Sequence, residues 1–209
     1  MLKDKLIHAI EEQVALDRIA DPLQHTVSAV LARAPRLADF LHGTWLGHPL
    51  HAVIVTVPIG GWAAGLALDL ASVLGRRRRF DRAADLVTAV GLGGAVLAAF
   101  AGIADWSLTR DKARRVGLVH ALANTAVVGL YGASLAARAG GARTLGIGLS
   151  SLGFGLAGAS GWLGGELAYH YGVGVRKTAL DESEGGEAGR ATPESEERRT
   201  EEAVAASPH

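Results

Sequence analysis

Residues 84–106 read ADLVTAVGLGGAVLAAFAGIADW. Between Asp85 and Asp105 there is no charge, and the Gly, Ala, Leu and Val residues show neither strand alternation nor the one-sided stripe of a surface helix. A helix that is apolar all round must be surrounded by apolar matter. A run of roughly 20 such residues is the length that crosses a hydrocarbon core about 30 Å thick. We therefore read residues 84–106 as a transmembrane helix.

The same reading extends outward to residues 49–75, 116–138 and 144–169. The expected fold is all-α, a four-helix transmembrane bundle over residues 48–175 in contact with the lipid bilayer. His48-Pro49 opens the first span, and Pro58 within it should bend the helix by removing a backbone hydrogen bond. Trp45 and Trp106 fit an interfacial aromatic belt.

Residues 1–47 form an N-terminal extension of amphipathic helices. Over 3–20, Leu6, Ile10 and Val14 share a face with Leu2 and Ile7 beside them. Asp21-Pro22 and Ala34-Pro35 look like the starts of two further short helices, with Gly43 as a stop. The extension is expected to pack on the bundle or lie in the lipid interface. No cleavable signal is visible, because this region is charged and lacks a leading apolar run.

The equal totals of 21 basic and 21 acidic residues conceal a split. Up to Lys177 the chain carries 18 basic and 12 acidic residues, and from Thr178 onward it carries 3 and 9. Residues 176–209 are expected to be a disordered acidic tail. There is no cysteine, so disulfides, thiolate ligation and an iron–sulfur cluster on this chain are excluded. Any metal must bind through His, Asp or Glu. Basic residues are nearly balanced between the two sets of loops, and the termini are read as cytoplasmic.

Small residues recur at fourfold spacing: Gly94, Ala98 and Gly102; Gly117, Ala121, Thr125, Gly129 and Ala133; Gly153, Ala157, Gly161 and Gly165. Such rows let helix backbones approach closely, and they also make room for a flat macrocycle between helices.

An even number of spans brings the start of the first and third and the end of the second and fourth to one side. That side holds His42, His48, His51, Asp105, His120, Glu166 and His170, while Asp69 lies toward the other, where it would cap a helix or pair with the arginines of 76–82. His48 and His51 share a helical face, as do Glu166 and His170, and His120 and Asn124. Histidine is costly in hydrocarbon, so the group reads as a ligand set or proton relay. His42, before the first span, reads as a surface residue, whereas His51 and His120 are the main candidates, with Asn124 beside them.

Three chemistries compete. A b-type haem needs imidazoles from two helices, a slot lined by small residues and basic groups near the membrane surface. A non-haem iron or other divalent metal site would draw on His51, His120, His48 and His170 with Glu166 or Asp105. A metal-free proton or quinone relay is the third.

The run from Leu41-His42-Gly43-Thr44-Trp45-Leu46-Gly47-His48-Pro49-Leu50-His51 with Val57-Pro58-Ile59-Gly60, then Gly102-Ile103-Ala104-Asp105-Trp106, Arg114 to His120 with Asn124, and Leu163-Gly164-Gly165 through Gly172-Val173-Gly174-Val175 resembles domain-of-unknown-function family 2231, a family of four-helix bacterial membrane proteins. The resemblance covers roughly residues 38–180. In many bacteria this module looks like the front half of a membrane-anchored Rieske protein. Here the cluster domain is absent, and Ala52 stands where the family usually has proline. The resemblance implies a redox membrane module; the leading expectation is an electron-transfer or structural subunit of the bacterial inner membrane rather than an enzyme, working with a ferredoxin or Rieske-type partner. A cofactor-free anchor that recruits a partner through its tail, and a non-haem metal enzyme, are the alternatives. A homo-oligomer is a further expectation, and no nucleic-acid partner is expected.

Overall fold

The computed structural model describes residues 2–75 and 78–174, so the expected tail and Arg76 and Arg77 lie outside the described residues. Within them every regular element is helical: α1 (Leu2–Glu11), a 3-10 turn (Val14–Leu16), α2 (Asp17–Arg33), α3 (Pro35–His42), a 3-10 turn (Thr44–Leu46), α4 (Leu50–Ile54), α5 (Thr56–Gly75), a 3-10 turn (Arg78–Phe80), α6 (Asp81–Trp106), α7 (Asp111–Ala139) and α8 (Arg143–Tyr169).

Three stretches are long and apolar enough to cross a membrane: Leu50–Gly75, Arg78–Trp106 and Asp111–Ala139. α8 has the length, at 27 residues, but its many Gly and Ser residues lower its mean hydropathy and leave it outside that set. α5 packs on α6, α6 on α7, α7 on α8, and α8 returns to α5. The first span breaks at Val55, three residues before Pro58, because proline has no N–H to offer the Ile54 carbonyl one turn back. The break leaves α4 as a separate short piece.

The expected fourfold row packs on α6, where Gly94 and Ala98 are buried and Gly102 lies against His51, but not along α7 or all of α8: Thr125, Gly129 and Ala133 are exposed on α7, and Gly161 is exposed on α8. A fourfold row drifts around a helix of 3.6 residues per turn, so a long row leaves the contact face. The seam on α7 instead runs through Val127, Tyr131, Ser134 and Arg138, and on α8 through Gly146, Ser150, Gly153 and Ser160, all buried. At mid-bundle Trp62 of α5 lies flat on Tyr131, with ring centres 3.9 Å apart. A Cβ at Gly153 would come 3.0 Å from that tyrosine ring, so glycine there permits the contact.

At the α5–α6 turn end, four helices share a charged network. Arg138 donates to both carboxylate oxygens of Asp69, at 2.9 and 2.6 Å, and also to Asp85, Ser134 and Ser150. Arg143 adds bonds to Asp69 and Asp85. The side chains of Asp69 and Arg138 are 1% and 2% exposed. Asp69 therefore pairs with arginines of α7 and α8.

The N-terminal helices dock at the opposite end. The expected continuous helix over 3–20 is interrupted between Glu11 and Asp17, and its docking face is Ile7 and Ile10 against Val116, Leu163 and Leu167, while Leu6 and Val14 are exposed. Pro35 begins α3 as expected, but Pro22 lies inside α2. The carbonyl that loses its partner there belongs to the exposed Arg18, which water can serve. Trp106 is buried at the α6–α7 junction, donating from Nε1 to the Arg114 carbonyl, and so does not belong to a belt. Trp45 is exposed and stacks on Phe40.

Candidate functional site

Two imidazoles meet inside the end where α4, α6, α7 and α8 converge. Gly43, at φ +70, turns the chain out of α3 so tightly that a Cβ there would lie 2.1 Å from the His48 carbonyl oxygen. Pro49 then precedes α4, whose second residue is His51. His51 Nδ1 donates to the Ala98 carbonyl of α6 at 2.8 Å, and His120 Nδ1 donates to the Ser160 carbonyl of α8 at 2.8 Å. A carbonyl only accepts, so each ring carries a proton on Nδ1, which leaves Nε2 as the nitrogen able to offer a lone pair. The ring centres lie 6.4 Å apart with planes at 79°.

Glycines make room for both rings. A Cβ at Gly102 would fall 2.7 Å from His51 Nδ1, and one at Gly164 would fall 3.1 Å from His120 Cε1. Asn124, one turn along α7, donates from Nδ2 to His120 Nε2 at 3.0 Å. His51 Nε2 has no hydrogen-bond partner among the described residues.

The other expected residues separate into different places. His42 is not at the surface: its Nδ1 bonds Asp105 Oδ1 at 2.8 Å, with side-chain exposures of 13% and 16%. The distant sequence position of Asp105 hid this pair. His48 is exposed and, among the described residues, bonds only the Leu46 carbonyl, at 3.3 Å. Glu166 pairs with Lys3 at 2.6 Å, and with the exposed His170 it lines a cavity of about 470 Å³ that also includes Trp162, Gly165 and Tyr169. Among the described residues no three of His, Cys, Asp or Glu gather into a group able to hold a metal ion.

Lys112, Arg114 and Arg115, which flank this end, are committed to the N-terminal helices. Arg115 donates to both oxygens of Asp17, and Arg114 pairs with Asp17 and Asp21. Arg115, with Arg114, holds the Asp17 carboxyl at about 2. Lys112 and Tyr171 both donate to the buried Glu11, lowering that carboxyl to about 2 as well. Burial, and then Glu11 itself, pushes the Tyr171 phenol up. Sequence reasoning missed Ser160 and Ala98 because they act through backbone carbonyls; Gly102 and Gly164 were the only available signal.

No curated relative and no solved structure matches the chain. The sequence model of one family, described as a predicted membrane protein (DUF2231), matches residues 47–177. The all-helical fold, the three apolar stretches of membrane-spanning length and this match lead to one conclusion: the chain belongs to the membrane-protein family DUF2231.

Proposed function

We propose that this membrane protein is a non-catalytic redox module in which His51 and His120 hold a b-type haem and exchange electrons with a separate ferredoxin or Rieske-type protein. What carries the reading is the paired imidazoles on different helices, each fixed through Nδ1 to a backbone carbonyl so that Nε2 is the ligand atom. Both rings are close enough, with centres 6.4 Å apart, for two Nε2 atoms to reach one iron, and His120 would take that role on release of its Nε2 by Asn124. When bound, the haem supplies the one-electron chemistry. The chain's own residues orient: the Ala98 and Ser160 carbonyls fix the two rings, and Gly102 and Gly164 admit them.

The proposal includes four spans, with α8 as the fourth, in the bacterial inner membrane with cytoplasmic termini. A homo-oligomer is compatible with the exposed small residues of α7. One observation favours a second reading: Asn124 already occupies His120 Nε2. In that reading the pair stays metal-free and the module anchors a partner through residues 176–209. A non-haem metal enzyme is the third.

The test is an absorption spectrum with metal analysis on detergent-solubilised protein from haem-sufficient cells. The haem reading expects a Soret band that shifts on dithionite reduction and is lost in His51→Ala and His120→Ala. A colourless, iron-free protein whose tail deletion abolishes partner capture supports the anchor instead. Stoichiometric non-haem metal supports the enzyme.

A further inference from the structure

We infer that α2 and α3 form a collar lying in the plane of the membrane, immersed in the headgroup layer of the leaflet nearest the histidine pair. α2 has distinct sides. Asp17, Ala20, Gln24 and Leu31 make its docking side: Ala20 is fully buried against Trp106 and Leu118, and Gln24 donates to the Trp106 and Thr109 carbonyls at 3.0 and 2.8 Å. By helical spacing Arg18 and His25 fall on one flank and Arg33 on the outward side, all exposed. Ile19, Leu23 and Val30 fall on the other flank, and they too are exposed.

A helix in water has no reason to keep polar side chains on one flank and bare apolar side chains on the other. A helix at a bilayer surface does, since the apolar flank dips below the headgroups while the polar flank meets phosphate and water. The elements around α2 also present apolar side chains outward. On α6 Leu97, Phe100 and Ile103 are exposed, and so is Leu108, next to the Thr109 carbonyl that Gln24 grips. On α3 Leu37 is exposed, and Phe40 stacks on Trp45, a planar aromatic pair of the kind favoured at headgroup level. The occupant is therefore lipid. Because His42 is the last residue of α3, the collar sets the His42–Asp105 pair at headgroup depth.

The chain has no cysteine, so one introduced thiol takes one spin label. In phosphatidylcholine–phosphatidylglycerol nanodiscs, labels at Ile19→Cys, Leu23→Cys, Val30→Cys and Leu37→Cys should collide with oxygen severalfold more, relative to a water-soluble nickel chelate, than labels at Arg18→Cys and His25→Cys. Leu97→Cys supplies the lipid reference. All these side chains are exposed, so the substitutions spare the packing. Equal ratios on the two flanks overturn the inference by putting both in water, and apolar-flank labels shielded from both reagents overturn it by showing a protein cover.

Discussion

Gly102 and Gly164 have the most exacting positions at the site, because each lies directly against an imidazole. Gly102→Ala should push His51 off the Ala98 carbonyl and cost about 1–3 kcal/mol, the usual cost of overpacking. Gly129→Ala, where nothing lies within 4 Å, should cost none. Thermal unfolding of the two variants in detergent checks the contrast. At this scale the sequence was only half informative. The expense of a membrane histidine pointed to His51 and His120, whose ring centres the fold brings to 6.4 Å. It misread His42, whose partner Asp105 is 63 positions away, and it had no means of naming the Ala98 and Ser160 carbonyls, since backbone acceptors carry no residue signature.

Helix ends were legible where proline or glycine imposed them: Pro35, Gly43 and the break before Pro58 all follow from backbone restrictions. The break between Glu11 and Asp17 was not, because it follows from tertiary contacts. Glu11 and Asp17 must each reach a cation at the start of α7, and one straight helix would not serve both. Those contacts give the extension an acid limit. Both carboxyls sit at about 2 in the folded chain, below their ordinary 4.5 and 3.8, so their stabilisation is complete above those ordinary values and fades as pH falls toward 2. A spin label at Leu6→Cys should therefore gain mobility between about pH 4.5 and 2. In Glu11→Gln, α1 should be looser at neutral pH and lose its part of that transition, while the Asp17 part on α2 persists.

For the whole molecule, the membrane class was legible from the apolar runs, because composition alone decides it. The charged network was not, because Arg138 reads as a loop residue when α7 is taken to end there. Breaking a buried pair strands its partner, so Asp69→Ala should lower stability by about 3–5 kcal/mol. Asp85→Ala, at a side chain 36% exposed, should cost at most about 1 kcal/mol. Chemical denaturation in one detergent compares them. The role of α8 has its own test. If it is the fourth span, Ala142→Cys and Tyr169→Cys, both exposed, react with an impermeant maleimide from opposite faces, whereas labelling from one face denies the span.

The network also has a mechanical consequence. It pins α5, α6, α7 and α8 together at one end, while His120 sits about 27 Å away along α7 at 1.5 Å per residue. Such an assembly behaves as a set of cantilevers with a stiff root. A sway of about 2° at the root carries a tip about 1 Å over that length. The gap between His51 and His120 is thus a displacement gauge for root stiffness: any change that softens the root widens the spread of tip separations before a contact at the tip has been altered.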